Sequence, residues 1–194
     1  MKIYKTYAQE NGAICCYAEN NKLRCLDFKD KYRPYMNDDK LLDDWDEVFF
    51  ETNNSINKGQ KINNIMRCNA MLYITDEPTK KLIENSFSGC IQFLSAKSND
   101  EPSAKYYFLY PIKGIEGLDI GKSECRFFPN SKVYSSVRKY VFRKDIDYSP
   151  VFKLKCQGSV YNTIMYATDE FKDFIESNGI TGLAFEEIFD FDKE

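Results

Sequence analysis

The spacing of apolar residues changes twice along the chain, from the period of a strand to that of a helix and back. Residues 73–93 read Y-I-T-D-E-P-T-K-K-L-I-E-N-S-F-S-G-C-I-Q-F, and residues 166–191 read Y-A-T-D-E-F-K-D-F-I-E-S-N-G-I-T-G-L-A-F-E-E-I-F-D-F. Both contain Tyr-x-Thr-Asp-Glu, an apolar pair before a glutamate, a glycine, and then a strand with phenylalanine. The pattern predicts one strand-helix-strand unit used twice, with a small shift between the copies.

The second unit carries the clearer helix signals. Phe171, Phe174 and Ile175 recur at helical spacing and predict one apolar face. Thr168 is predicted to cap the helix, and the carboxylates that follow lie in the first turn, where the helix dipole favours negative charge. Gly179 is predicted to end the helix in a left-handed conformation.

Shorter apolar or alternating runs predict strands along the rest of the chain. They lie at residues 3–7, 13–18, 23–28, 48–50, 106–110, 132–142, 151–154 and 161–166, with a further strand within 115–128. Glu10-Asn11-Gly12 is a hairpin signal, so residues 2–28 are predicted to form an antiparallel meander. Polar stretches at 51–61 and 95–105 are predicted to be exposed loops.

These elements predict an α+β fold, mainly antiparallel sheet with a few short helices and the two similar strand-helix-strand units. No stretch rich in Pro, Gly or Ser divides the chain, so we predict a single domain over residues 1–194. Within it, residues 1–65 form an N-terminal β meander and loop, and residues 66–194 form the core.

Composition narrows the possible partners. The net charge of −3 gives no long-range attraction to nucleic acid, and no apolar run is long enough to span a membrane. The N-terminal sequence lacks the apolar region of a signal peptide, which predicts a cytoplasmic location. The chain has no histidine, and its seven cysteines include no Cys-x-x-Cys pair, so we expect neither a metal nor a cofactor.

Residues 117–123 read G-L-D-I-G-K-S and resemble a phosphate-binding loop. The pattern needs four residues between its glycines and a helix beginning at the lysine, whereas three residues separate Gly117 from Gly121 and a strand pattern follows. We therefore predict a turn between strands. The nearby cations Arg138-Lys139 and Arg143-Lys144 alternate with aromatic residues, which is more typical of a solvated strand face than of a nucleic-acid site.

Two acidic stretches are candidate surfaces for a protein partner. Residues 43–47 surround the only tryptophan with carboxylates, and tryptophan is favoured at interface hot spots, although it could instead plug the core. The C-terminal acidic run is either a solvated edge strand or part of a docking face. The predicted binding residues are Asp43, Asp44, Trp45, Asp46, Glu47, Glu186, Glu187 and Asp190. No catalytic residue is predicted.

Four segments of the chain together resemble a bacterial immunity-protein family of polymorphic toxin systems. They are Tyr106-Tyr107-Phe108-Leu109, Leu118-Asp119 with Ser123, Val151-Phe152-Lys153-Leu154, and T-D-E-F-K-D-F-I-E-S-N-G-I-T-G-L-A-F, with I-T-G-L-A-F the strongest part. The resemblance covers about residues 70–190.

The resemblance implies a cytoplasmic antidote that binds a cognate toxin and blocks its active site, with no catalytic residues of its own. The acidic surplus would then suit a basic toxin such as a nuclease. The alternative is an enzyme without histidine, a hydrolase or modifier that works through carboxylates on an unknown substrate. The oligomeric state stays open.

Overall fold

A computed structural model of the chain describes residues 1–9, 14–22, 31, 44–52, 63–68, 73–130 and 134–193. Within these residues there are thirteen strands and two helices, and the predicted α+β class is confirmed. The strands are β1 (Lys2–Ala8), β2 (Ile14–Tyr17), β3 (Val48–Thr52), β4 (Ile65–Cys68), β5 (Tyr73–Asp76), β6 (Ile91–Ser98), β7 (Tyr106–Pro111), β8 (Gly114–Ile115), β9 (Glu124–Phe127), β10 (Tyr134–Lys139), β11 (Val151–Cys156), β12 (Ser159–Thr168) and β13 (Leu183–Asp190). The helices are α1 (Glu77–Ser86) and α2 (Asp169–Ser177).

The described strands form three sheets. Six of them close into a barrel in the order β2-β3-β6-β7-β5-β4, and five form an open sheet in the order β13-β1-β12-β11-β8. Strands β9 and β10 make a separate two-stranded hairpin. Most pairs are antiparallel, and the parallel pairs are β2–β4, β3–β6 and β8–β11.

The two predicted strand-helix-strand units are present and share a topology. Strands β5 and β6 both pair antiparallel with β7, which lies between them. Strands β12 and β13 both pair antiparallel with β1, which lies between them. Each helix therefore joins two parallel strands across an intervening antiparallel strand. Both intervening strands were predicted as strands, at residues 3–7 and 106–110, but their insertion into the two units was not.

The meander predicted for residues 2–28 is wrong where it can be compared. Strand β1 pairs with β12 and β13 in the open sheet, whereas β2 belongs to the barrel. The hairpin signal at residues 10–13 and the strand predicted at 23–28 lie outside the described residues. The central position of β1 buries both of its faces: Ile3 packs in one core, and the Thr6 hydroxyl donates to Met165 O at 2.7 Å in another. In the open sheet β1 pairs along both of its edges, with β12 and with β13. A local hairpin of β1 with β2 would leave one edge of β1 unpaired.

Several predicted boundaries shift. Strand β6 extends to Ser98, into the stretch predicted as a loop, because Ala96 and Ser98 are buried beside β3. The strand predicted at 132–142 is β10, and Phe142 instead forms an isolated bridge with Leu118. Thr168 occupies the position before α2, but its side chain makes no capping hydrogen bond.

Three clusters of apolar side chains form the core. One fills the barrel and includes Phe50 and Phe108. The second lies between the barrel, both helices and the open sheet, where the Phe87 ring meets Phe171 and Phe174 edge-on at centroid distances of 5.3 and 5.0 Å. The third lies on the other face of the open sheet, and residues within 115–130 and 134–148 contribute to it.

The I-T-G-L-A-F segment ties the barrel to the open sheet. The Asn64 side-chain oxygen accepts hydrogen bonds from the Thr181 amide and hydroxyl, both at 3.0 Å, and the Ile65 amide donates to Thr181 O at 3.0 Å. Gly182 exchanges hydrogen bonds with Gln9 on its other side. Gly182 has φ +110°, and a Cβ there would lie 1.7 Å from Ile65 O, so only glycine permits this close approach.

No helix in the described residues is long and apolar enough to cross a membrane.

Candidate functional site

Trp45 lies against the barrel core. Its indole Nε1 donates a hydrogen bond to Ser95 O at 2.8 Å, and its ring meets Phe108 edge-on at a centroid distance of 5.7 Å. The ring is half-buried and packs on the cluster inside the barrel. Of the two interpretations open from the sequence, the structure favours the core plug.

The acidic residues beside Trp45 are paired with lysines. Lys31 Nζ lies 3.4 Å from a carboxylate oxygen of Asp44 and 2.9 Å from one of Asp46. Lys97 Nζ lies 2.5 Å from Glu47 Oε1. Asp43 lies outside the described residues. The negative charge of this stretch is therefore largely matched by charges of the protein itself.

The second predicted set lies on β13, which is an edge strand of the open sheet. Glu186 accepts a hydrogen bond from the Tyr7 hydroxyl at 2.5 Å, and Glu187 pairs with Lys2 at 2.6 Å. The hydrogen bond from Lys2 lowers the pKa of Glu187. Asp190 pairs with Lys193 at 3.2 Å. Among the described strands the acidic run thus lies on an edge strand, the first of the two interpretations open from the sequence, and these carboxylates too have partners.

The two acidic sets lie on different sheets. Residues 44–47 precede and enter the barrel at β3, whereas Glu186, Glu187 and Asp190 belong to the open sheet. Each set is held together locally by its own lysines. The predicted residues that the structure describes therefore form two sets, each with its own local partners.

The loop at residues 117–123 is a turn between strands, as predicted. The Gly121 and Lys122 amides donate to Asp119 Oδ1 at 3.1 and 3.3 Å, and the Ser123 amide donates to Asp119 O at 2.8 Å. Strand β9 begins at the next residue, where a phosphate-binding loop would begin a helix. The Asp119 carboxylate thus occupies the amides that would otherwise face an anion.

An open depression of about 820 Å³ lies beside this loop. Its lining residues are Leu118, Asp119, Ile120, Lys122, Phe142, Arg143, Lys144 and Asp145. Arg143 holds Asp145 through two hydrogen bonds of 3.1 and 2.6 Å, and this contact lowers the pKa of Asp145. Asp119 is held by the loop amides and lies 3.6 Å from Lys122. Both carboxylates are therefore engaged in structural contacts.

Metal ligands do not converge in the part of the chain that the structure describes, where no group of three or more His, Cys, Asp or Glu side chains could hold an ion.

The hairpin of β9 and β10 presents a surface that the sequence analysis missed. Phe127 and Phe128 are 41% and 53% exposed. Arg126, Arg138 and Lys139 are exposed nearby and make no ion pair with any residue that the structure describes. Two adjacent phenylalanines before a proline were the available signal, because successive strand residues face opposite sides and both cannot point into the core.

Comparison with known proteins identifies the class of protein to which this fold belongs. The chain belongs to an immunity protein family: a sequence model of that family (Imm11) matches residues 7–190. The match extends well beyond the stretch of about 70–190 that carried the resemblance, and it begins within the last two residues of β1. Membership implies a toxin partner in general and a non-enzymatic role. A comparison with curated proteins gives no match for the chain.

Proposed function

We propose that this protein binds a cognate toxin in the cytoplasm and neutralises it by covering the toxin's active site. The observation that carries the proposal is the family match over residues 7–190. The exposed surface of 10408 Å² is ample for a standard interface, which takes about 800 Å² from each partner. Strands fixed in a barrel and an open sheet present such a surface with little conformational rearrangement.

The acidic residues on β13 are the first proposed contacts. Glu186 and Glu187 are exposed, and a lysine or arginine of a basic toxin could replace Lys2 as the partner of Glu187. Exchange of an exposed ion pair costs little, because such pairs contribute only about 0–1 kcal/mol. Asp44, Asp46 and Glu47 form a second proposed set of toxin contacts. They flank Trp45, whose indole remains packed against the barrel core.

The test of the proposal uses the toxin domain that we expect to be encoded immediately upstream of this reading frame. Co-expression should restore growth, and the purified pair should elute together. Purified protein should abolish toxin activity once it is equimolar with the toxin, because occlusion uses one molecule per active site.

Killing that persists, with no complex on elution, would contradict the proposal. Protection at far less than equimolar protein would instead support the alternative of an enzyme that modifies the toxin or its product. A double change of Glu186→Gln and Glu187→Gln, compared with Glu84→Gln and Glu176→Gln on the helices, tests the β13 contacts. The two pairs of substitutions alter the net charge equally.

A further inference from the structure

Charges are distributed unevenly between the hairpin and the rest of the molecule. Residues 124–139 contain four Lys or Arg residues and one Glu, in a chain whose net charge is −3. Among the described residues, the acidic side chains predicted to bind all have partners: Lys31, Lys97, Tyr7, Lys2 or Lys193. The hairpin cations that the structure describes, Arg126, Arg138 and Lys139, make no ion pair with a described residue. The unmatched charge on these surfaces is therefore positive, and it lies on the hairpin.

The apolar part of the hairpin adds a second, independent observation. Phe128 is 53% exposed, the largest exposed fraction among the large apolar side chains described. Phe127, at 41%, keeps one side of its ring against Tyr134, at a centroid distance of 5.3 Å. Tyr134 is itself buried in the third core cluster. Phe127 is thus anchored to the core, as an interface anchor requires, and Phe128 follows it directly in the chain.

The hairpin is also held in a defined position. Cys125 and Val137 face each other across β9 and β10 and pack on the third core cluster. Arg126 is paired in register with Ser136, so the arginine has no carboxylate opposite it, whereas Lys139 is in register with Glu124. An exposed apolar pair beside cations without ion-pair partners suits a partner surface with an apolar centre and acidic surroundings.

We propose that Arg126, Phe127, Phe128, Arg138 and Lys139, which we call the hairpin surface, dock onto an acidic patch with an apolar centre on the toxin. This inference rests on the proposed function and names a second contact region, of opposite charge to the one on β13. A nucleic acid is the less suitable occupant, because the chain is acidic overall and three cations contact too few phosphates for firm binding. The side of the Phe127 ring that lies on Tyr134 is also closed to base stacking.

The test measures the affinity of the full-length protein for the same upstream toxin domain at two salt concentrations. One variant is Phe128→Ala, matched by Leu82→Ala, which trims another exposed apolar side chain on α1. The second is the double change Arg126→Glu and Arg138→Glu, matched by Lys81→Glu and Lys105→Glu, which alters the net charge equally at residues away from the hairpin. Thermal unfolding of all four confirms that they fold.

We expect Phe128→Ala to weaken binding roughly tenfold, as loss of a hot-spot side chain does. The double charge reversal should slow association at least tenfold at low salt and less at high salt, because exposed charges steer encounter and are screened. Both control variants should bind as the wild type does.

Wild-type protein that binds the toxin while both hairpin variants bind equally well would overturn this inference and leave the proposed function intact. Wild-type protein that binds no toxin would remove the proposed function itself. A single-stranded oligonucleotide that is retained by the wild type and released by the double reversal would assign the hairpin to nucleic acid and also overturn the inference.

Discussion

The two strand-helix-strand units begin with the same five-residue pattern and use its aspartate differently. In the first unit Asp76 precedes α1, and its side chain accepts a hydrogen bond from the Thr79 amide at 2.8 Å. In the second unit the helix begins one residue earlier relative to the pattern, so Thr168 precedes α2 and Asp169 is the first helical residue. The motif is the same, but the register of the helix differs by one residue.

Asp169 makes tertiary contacts in place of a cap. Its carboxylate accepts hydrogen bonds from the Lys2 amide at 2.7 Å and from the Tyr4 hydroxyl at 3.0 Å. Both donors lie on β1, the strand inserted between β12 and β13. The aspartate of the second unit therefore fastens the intervening strand, whereas that of the first unit serves its own helix.

Counted from the residue before each helix, the two units are alike again. The fourth helical residue is a lysine in both, Lys80 or Lys172, and it pairs with the glutamate one turn later at 2.5 Å. Each lysine also lies over a tyrosine ring of the intervening strand: Tyr107 at 5.1 Å and Tyr4 at 5.6 Å. The comparison teaches that the residue at which each helix begins, rather than the sequence motif, determines which side chains meet the sheet.

The largest expected loss of stability comes from substituting one of the two glycines of the second unit. Gly182→Ala should lower the free energy of unfolding by more than about 3 kcal/mol, because the new Cβ would collide with Ile65 O at a backbone position that favours glycine. Gly179→Ala is the control: it also has positive φ, but its surroundings are open, so it should cost about 1 kcal/mol. Urea unfolding measures both. Equal costs would show that strain at positive φ, and not the junction with β4, is what Gly182 relieves.

Substitution of the aspartate should destabilise the protein more in the second unit than in the first. Asp169→Ala should cost about 2–3 kcal/mol, since it removes two hydrogen bonds to a charged acceptor and leaves the Lys2 amide without that partner. Asp76→Ala should cost about 1 kcal/mol, the usual effect of losing a helix cap. Urea unfolding of both variants provides the measurement, and a larger cost for Asp76→Ala would reverse the assignment of roles.

Stability should fall at alkaline pH, partly because Tyr4, which donates a hydrogen bond to Asp169 of the second unit, loses its proton. Burial and then the hydrogen bond to Asp169 raise the pKa of Tyr4 above its usual range. Because the folded-state pKa is the higher one, this contribution is complete below the unfolded pKa of about 10 and is lost as the pH rises above it. Tyr4→Phe should cost about 1 kcal/mol at neutral pH and give a shallower decline between neutral pH and pH ~11.

Thermal unfolding across this pH range is the measurement. An identical alkaline slope in the wild type and Tyr4→Phe would assign the loss of stability to other tyrosines, such as Tyr148, whose pKa is also raised by burial.

The smallest effect concerns the lysines that the units share. Lys80→Ala and Lys172→Ala should each cost a few tenths of a kcal/mol, because each removes a helical ion pair and a partly exposed contact with a ring. The two costs should agree within the error of chemical unfolding. A clear difference would mean that the fourth position of α1 and that of α2 are not equivalent.

The sequence predicted the features that depend on neighbouring residues. The two units, the left-handed glycine after α2 and the turn at Asp119 all follow from propensities and hydrogen bonds within a few residues. Thr168 lies at the predicted position before α2 but makes no capping hydrogen bond. The bonds from β1 to Asp169 are tertiary contacts that no local pattern indicates. The resemblance to immunity proteins was also correct, as the family match over residues 7–190 shows.

The candidate surfaces were predicted less well, because exposure and charge pairing depend on residues distant in sequence. Glu187 meets Lys2 across nearly the whole chain, and Trp45 meets Phe108 only after the barrel closes. Nothing local distinguishes these paired carboxylates from free ones. The exposure of Phe128 likewise follows from how the hairpin lies on the third core cluster.

By itself, then, the sequence determined the α+β class, the repeated unit and the protein family, because these follow from short-range periodicity and turn chemistry. Tertiary structure alone decided that β1 and β7 are inserted between the strands of the two units, since a strand gains most by burying both faces and pairing both edges. It also decided which charges remain without partners. Ion pairing depends on distances in space, and those distances exist only once the sheets have formed.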